Sequence, residues 1–232
     1  MNKTAFLFAM LFIFTAQSYA ETVNATGELA NNSKTMSYIT GSQTSFNAVR
    51  QLGIAQDHKL GLQLDCKTEY KVKPVSAAVL APINFPDSQQ NPVSGVWSLR
   101  YELQRCGESK IYNAIFVANA DGSAPTPHPF YPGTSYSSPI LIKDAMRSAL
   151  PSAMIKSGDR QCKDLDMLDM RVTQEPHDVI EGDKTSKGVW NETWTFLLCG
   201  KPVDTDITFV PDATGGGTSF FINMGKVGEK KP

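Results

Sequence analysis

Residues 95–107 read GVWSLRYELQRCG, and residues 188–200 read GVWNETWTFLLCG. Both stretches open on Gly-Val-Trp, both close on Cys-Gly, and they lie 93 positions apart. Each alternates with the period of two that marks a strand with one face in a core. Trp97, Leu99, Tyr101 and Leu103 share one face of the first. Trp190, Trp194, Phe196 and Leu198 share one face of the second, with Glu192 the exception. At the same offset Phe116, Val117, Ala120 and Gly122 match Phe209, Val210, Ala213 and Gly215 without a gap. Matches in this order and spacing point to a tandem duplication.

Upstream, Cys66-Lys67 matches Cys162-Lys163 at an offset of 96, and Ala48-Val49-Arg50 matches Ala145-Met146-Arg147 at 97. In the second copy Ser137-Ser138-Pro139 supplies an N-cap and a proline suited to a first helical turn. Ile142, Ala145, Met146, Ala149 and Leu150 then form the apolar stripe of a helix, which Pro151 is expected to end or kink. The first copy has a weaker stripe of Phe46, Ala48, Val49 and Leu52, followed by Gly53. Strands are expected at 67–76 and 164–173, over the repeated stretches, and at 111–118 and 206–210. The expected fold is α+β: two tandem units, each a helix on a three-stranded antiparallel sheet. The units fall at 41–122 and 138–224. Residues 123–137, with four prolines, read as a linker. Residues 21–40 read as flexible and 225–232 as a frayed tail.

Residues 1–20 carry one lysine, an apolar run from Ala5 to Phe14 and a small-residue end, Ser18-Tyr19-Ala20. That is the pattern of a secretory signal peptide, short in the bacterial manner, and its apolar run is too short for a membrane anchor. The mature chain is expected to begin near Glu21, to lack a membrane span, and to reach the periplasm or the exterior. Four cysteines, Cys66, Cys106, Cys162 and Cys199, in an exported chain read as two disulfides. None lies at the close spacing of a zinc pair. One cysteine of each copy precedes the first strand and the other ends the second, so an antiparallel hairpin places both at its open end. This predicts Cys66–Cys106 and Cys162–Cys199.

The charge balance, 22 Lys+Arg against 23 Asp+Glu, leaves no excess to displace phosphate counterions, so no nucleic-acid partner is expected. The three histidines, His58, His128 and His177, lack partners at metal-ligand spacing, and neither metal nor cofactor is expected. His177, Asp178, Glu181 and Asp183 read as a solvated acidic loop. Asp164, Asp166 and Asp169 lack the glycine and distal glutamate of a calcium loop and read as the exposed side of a strand. Gly215-Gly216-Gly217 precedes a strand, which suits a hairpin turn better than a phosphate loop. Asn24, Asn31 and Asn191 head glycosylation sequons that matter only in a glycosylating host. The residues that recur, Trp97 with Trp190 and Phe116 with Phe209, are core formers. The function these features favour is a non-catalytic binding or interaction module, engaging an unknown protein or surface ligand through its sheet edges or linker. A secreted hydrolase using His128 or His177 between the copies is the alternative, and a small-ligand carrier is another. Non-reducing peptide mapping is expected to recover Cys66 linked to Cys106 and Cys162 to Cys199. A Cys66–Cys162 peptide would break the two-unit reading.

Overall fold

The computed structural model describes residues 24–26, 33–86, 89–159, 161–213 and 215–223. Residues 1–20, read as a signal peptide, and the tail 225–232 lie outside these. The fold is α+β. A short β1 (Asn24–Thr26) is followed by α1 (Ser33–Gly41) and α2 (Gln43–Lys59). Strands β2 (Lys71–Asn84), β3 (Ser94–Arg105), β4 (Glu108–Val117) and β5 (Thr126–Phe130) complete the first half. The second half holds α3 (Pro139–Ser157), β6 (Leu165–Glu181), β7 (Lys184–Leu198), β8 (Lys201–Pro211) and β9 (Thr218–Asn223). Two antiparallel meanders result, β2-β3-β4-β5 and β6-β7-β8-β9, with β1 added in parallel beside β2.

Each antiparallel sheet has four strands, where the sequence predicts three. The fourth strand of the first sheet is drawn from the proline-rich stretch 123–137. Its sequence, TPHPF, places prolines two residues apart. Successive N–H groups of a strand point to opposite edges, so both missing donors fall on the same edge. Such a strand fits only at the border of a sheet, where that edge is open. β5 is the border strand, and it pairs Val117↔Thr126, Phe116↔Pro127 and Ile115↔His128. In the second sheet β8 and β9 pair Val210↔Ser219, Phe209↔Phe220 and Thr208↔Phe221. Every one of these pairs is displaced by 93, so the shared ladder extends through the fourth strand.

The repeated Cys-Gly is a two-residue hairpin loop. Cys106 and Gly107 have φ of 47° and 81°, and Cys199 and Gly200 have 47° and 75°. Two consecutive positive φ values are the requirement of a type I′ turn, which matches the twist of the strands it joins. Arg105 pairs with Glu108 and Leu198 with Lys201 across these turns. The disulfides Cys66–Cys106 and Cys162–Cys199 fasten each turn to the segment before the sheet, with Cα atoms 5.8 Å apart in both. Each closes a loop of about 40 residues, worth about 4 kcal/mol in the chain-entropy account.

Trp97 and Phe116 face each other across β3 and β4 and stack at 5.3 Å with planes 3° apart. Trp190 and Phe209 do the same across β7 and β8, at 5.0 Å and 10°. All four are buried. On the first core lies α2, whose inward residues are Ser45, Val49, Gly53 and Asp57. Gly53 does not end the helix: a Cβ there would stand 2.8 Å from Leu103, so glycine lets helix and sheet close together. On the second core lies α3, inward at Ile142, Ala145, Ala149 and Ala153, and capped by Ser138 as expected. Pro151 neither ends nor breaks α3. It sits exposed, and Ala153 and Met154 extend the apolar stripe one turn beyond it. Residues 33–40, part of the stretch read as flexible, lie in α1 and pack on the first sheet. Ile39 of α1 is buried in the first core, and Tyr38 packs edge-on against Trp97 and Phe85.

Gly133 shows how tightly the halves are joined. Its φ is 100°, and a Cβ would fall 2.2 Å from Met170 O and 2.3 Å from Met170 N. Gly133→Ala is expected to lower stability by ~3 kcal/mol or more, read as a drop in the urea midpoint. Gly182→Ala, at φ 60° with nothing near it, is expected to cost only ~1 kcal/mol.

Candidate functional site

Residues 130–137 form a strap between the two sheets. Gly133 N donates to Ile111 O of β4 at 2.9 Å, while Thr134 N donates to Met170 O of β6 at 2.7 Å. Met170 N returns a bond to Pro132 O at 3.0 Å. The Asn113 side-chain amide donates to Tyr131 O and Gly133 O, at 2.7 and 2.9 Å. Side chains cross the seam as well. Phe130 and Tyr131 pack on the second core, and Leu168 of β6 packs on the first. Asp166 and Asp169, read from sequence as an exposed acidic side, are half-buried here and pair with cations of the other half. Lys59 binds Asp166, and Lys110 lies 3.5 Å from Asp169. Burial pushes the Asp169 carboxyl up, and the Lys110 charge pulls it part of the way back.

Glu192, the misfit of the repeated stretch, is fully buried and anchors this strap. Its Oε1 accepts from Trp190 Nε1 and Ser135 Oγ, both at 2.8 Å, and from Tyr136 N at 3.0 Å. Its Oε2 accepts from Trp194 Nε1 at 2.8 Å. Four donors thus converge on this buried carboxyl, three on one oxygen and one on the other, so its hydrogen bonds are made within the fold. From the first sheet, Arg100 Nη2 donates to Ser135 O at 2.9 Å. Burial pulls the Arg100 guanidinium down, and the Glu192 charge opposes that shift.

The first core holds a second charged cluster. Arg105 Nε and Nη2 donate to Asp57 at 2.7 and 2.9 Å, and the Tyr112 hydroxyl donates to the same carboxylate. Asp57 is 0 % exposed and Arg105 3 %. Burial lowers Arg105, but its hydrogen bond and charge pairing with Asp57 more than reverse this. Burial first, and then the Asp57 contacts, drive the hydroxyls of Tyr112 and Tyr101 far above their ordinary range, so both stay protonated. At the corresponding positions the second half carries Met154, Leu198 and Thr205. The cluster is a feature of one half only.

The histidines are kept apart. His128 is in β5, opposite Ile115, rather than in a free linker. His177 is in β6, opposite Val189, rather than in a loop, and its Nδ1 lies 2.9 Å from Glu175 O. Residues 171–181 and 184–188 form a largely exposed hairpin arm, in which Ile180 is 73 % exposed. The Asn191 sequon is in β7, its amide bonded to Gln174. Among the described residues no group of three His, Cys, Asp or Glu is placed to hold a metal ion, and no helix is long and apolar enough to cross a membrane.

At the seam, α2, β4, β5, α3 and β6 enclose an open cleft of about 510 Å³. Leu60, Ile115, Phe130 and Met167 give it an apolar lining, with Gln56, His128 and Lys143 among its polar groups. No single copy of the repeat contains this cleft, so no motif in the sequence announces it. Comparison with family models, curated proteins and solved structures finds no match.

The Asp57–Arg105–Tyr112 cluster is structural if an apolar set, two members of it taken from the second half, can replace it. Asp57→Met alone is expected to cost about 3–5 kcal/mol in urea unfolding, because it strands a buried guanidinium. Adding Arg105→Leu and Tyr112→Phe is expected to recover at least half of that loss.

Proposed function

We propose that this chain is an exported binding module, non-catalytic, formed by tandem duplication of one helix-and-sheet unit. The shared ladder at offset 93, the paired Trp–Phe stacks and the two Cys-Gly turns support the duplication. The leader-like first twenty residues and the two disulfides support export. The observation that carries the binding role is the seam cleft. It opens where two rigid halves are joined, a common location for ligand sites, and its volume lies within the usual 300–1,000 Å³ range.

The charged groups inside the cores serve cohesion in this reading. Asp57 and Glu192 spend their lone pairs on neighbouring donors and present none outward. The binding surface is the region that duplication created by juxtaposition: β5, the strap, the end of α2 and the first turns of α3. This is the segment that distinguishes the junction from either copy alone.

A photocrosslinking residue at position 128, beside the cleft, is expected to give a discrete adduct in cells exporting the chain. The same residue at position 187, on the distant hairpin arm, is expected to give none. Adducts from position 187 alone, or a chain retained in the cytoplasm with free thiols, would overturn the reading.

A further inference from the structure

The cleft contains a buried acceptor without a donor. Gln56 Nε2 donates to Phe130 O at 3.3 Å, which fixes the orientation of the amide. Its Oε1 is then left buried with no hydrogen-bond partner. An unpaired buried carbonyl costs on the order of 1–3 kcal/mol, and a turn of the Gln56 side chain toward the cleft it lines lets an incoming N–H or O–H remove that penalty.

The cleft also carries a net positive charge. Lys59 and Asp166 neutralise each other at its edge. Lys143, in the second turn of α3, has no ion-pair or hydrogen-bond partner among the described residues, and His128 stands on the β5 rim. The lining between these polar groups is apolar: Leu60, Ile115, Phe130 and Met167.

We infer that the seam cleft takes a small amphipathic organic anion. The ligand has a flat apolar body for the Phe130 and Ile115 wall, an N–H or O–H donor for Gln56 Oε1, and a carboxylate or sulfonate for Lys143. This rests on the reading of the chain as a binding module and narrows it to a ligand class. Each half of the inference is supplied by a different part of the fold. The acceptor comes from α2 of the first half, and the cation from α3 of the second.

The probe that tests it is 1-anilinonaphthalene-8-sulfonate, which has an aromatic body, an N–H and a sulfonate. On the folded protein it is expected to bind saturably, one per chain, with enhanced fluorescence. Lys143→Glu, at an exposed position, is expected to weaken binding about tenfold, since a repulsion replaces an attraction of similar size. Lys187→Glu makes the same change of net charge on the hairpin arm and is expected to leave binding unaltered. Gln56→Leu is expected to weaken it several-fold. N-phenyl-1-naphthylamine, which keeps the body and loses the sulfonate, is expected to bind about tenfold more weakly. Binding that does not saturate, that ignores Lys143→Glu, or that is equal for the two dyes would overturn the inference. If the dye fails while crosslinking from position 128 still captures a partner, the ligand class falls and the binding module stands. If both fail, the module reading falls too.

Discussion

The strap from Phe130 to Ser137 is the constraint on which the arrangement of the two halves depends. At Gly133 the backbone passes so close to β6 that no side chain fits, and its N–H bonds β4 while Pro132 O and Thr134 N bond Met170. Two sheets that could each fold around their own Trp–Phe stack are thereby held edge to edge in one geometry. Glu192 from one side and Arg100 from the other grip the same residue, Ser135, by its hydroxyl and its carbonyl. The Glu192 carboxyl is fully buried and the Arg100 guanidinium partly so, and each meets donors or acceptors of the strap. Removal of either partner strands the other in a medium where unpaired charge is costly.

The two halves are stapled meanders of matching register, and their differences follow physical lines. What both copies keep is what a small core needs: a stacked aromatic pair, a type I′ turn and a disulfide at the turn. What differs is the side chain at four buried points. The first copy buries Asp57, Arg105 and Tyr112, while the second has Met154, Leu198 and Thr205. The second instead buries Glu192 where the first has Leu99. Each copy thus carries one internal charge network, but they serve different ends. The first ties α2 to β3 and β4. The second ties β7 to the strap.

The cleft follows from the same geometry. The end of α2 and the start of α3 both line it beside β5, and the strap bonds both β4 and β6. Lys59 and Asp166 close one border of the opening, and Phe130 contributes to both the cleft wall and the second core. An opening at such a place needs no pocket in either half alone. It needs only that the two halves be fixed side by side.

Alternation and the offset of 93 were enough, in the sequence alone, to place β3 and β7, the inward Trp and Phe residues, the N-cap of α3 and both disulfides. These are local or periodic properties, set by the pleat, by capping and by the two-residue turn. The fourth strand of the first sheet, the persistence of α3 past Pro151, and the role of Glu192 were decided only in the tertiary structure; β9, after the glycines 215–217, was legible as a strand. TPHPF resembles a linker because its prolines lack donors, and it becomes a strand because the edge it borders is open. Glu192 breaks the apolar pattern because its partners, Trp190 and Trp194 nearby and Ser135 and Tyr136 some 56 residues away, exist only once the strap is folded over β7. The cleft was likewise illegible, since its walls come from α2, β4, β5, α3 and β6, which no sequence pattern brings together.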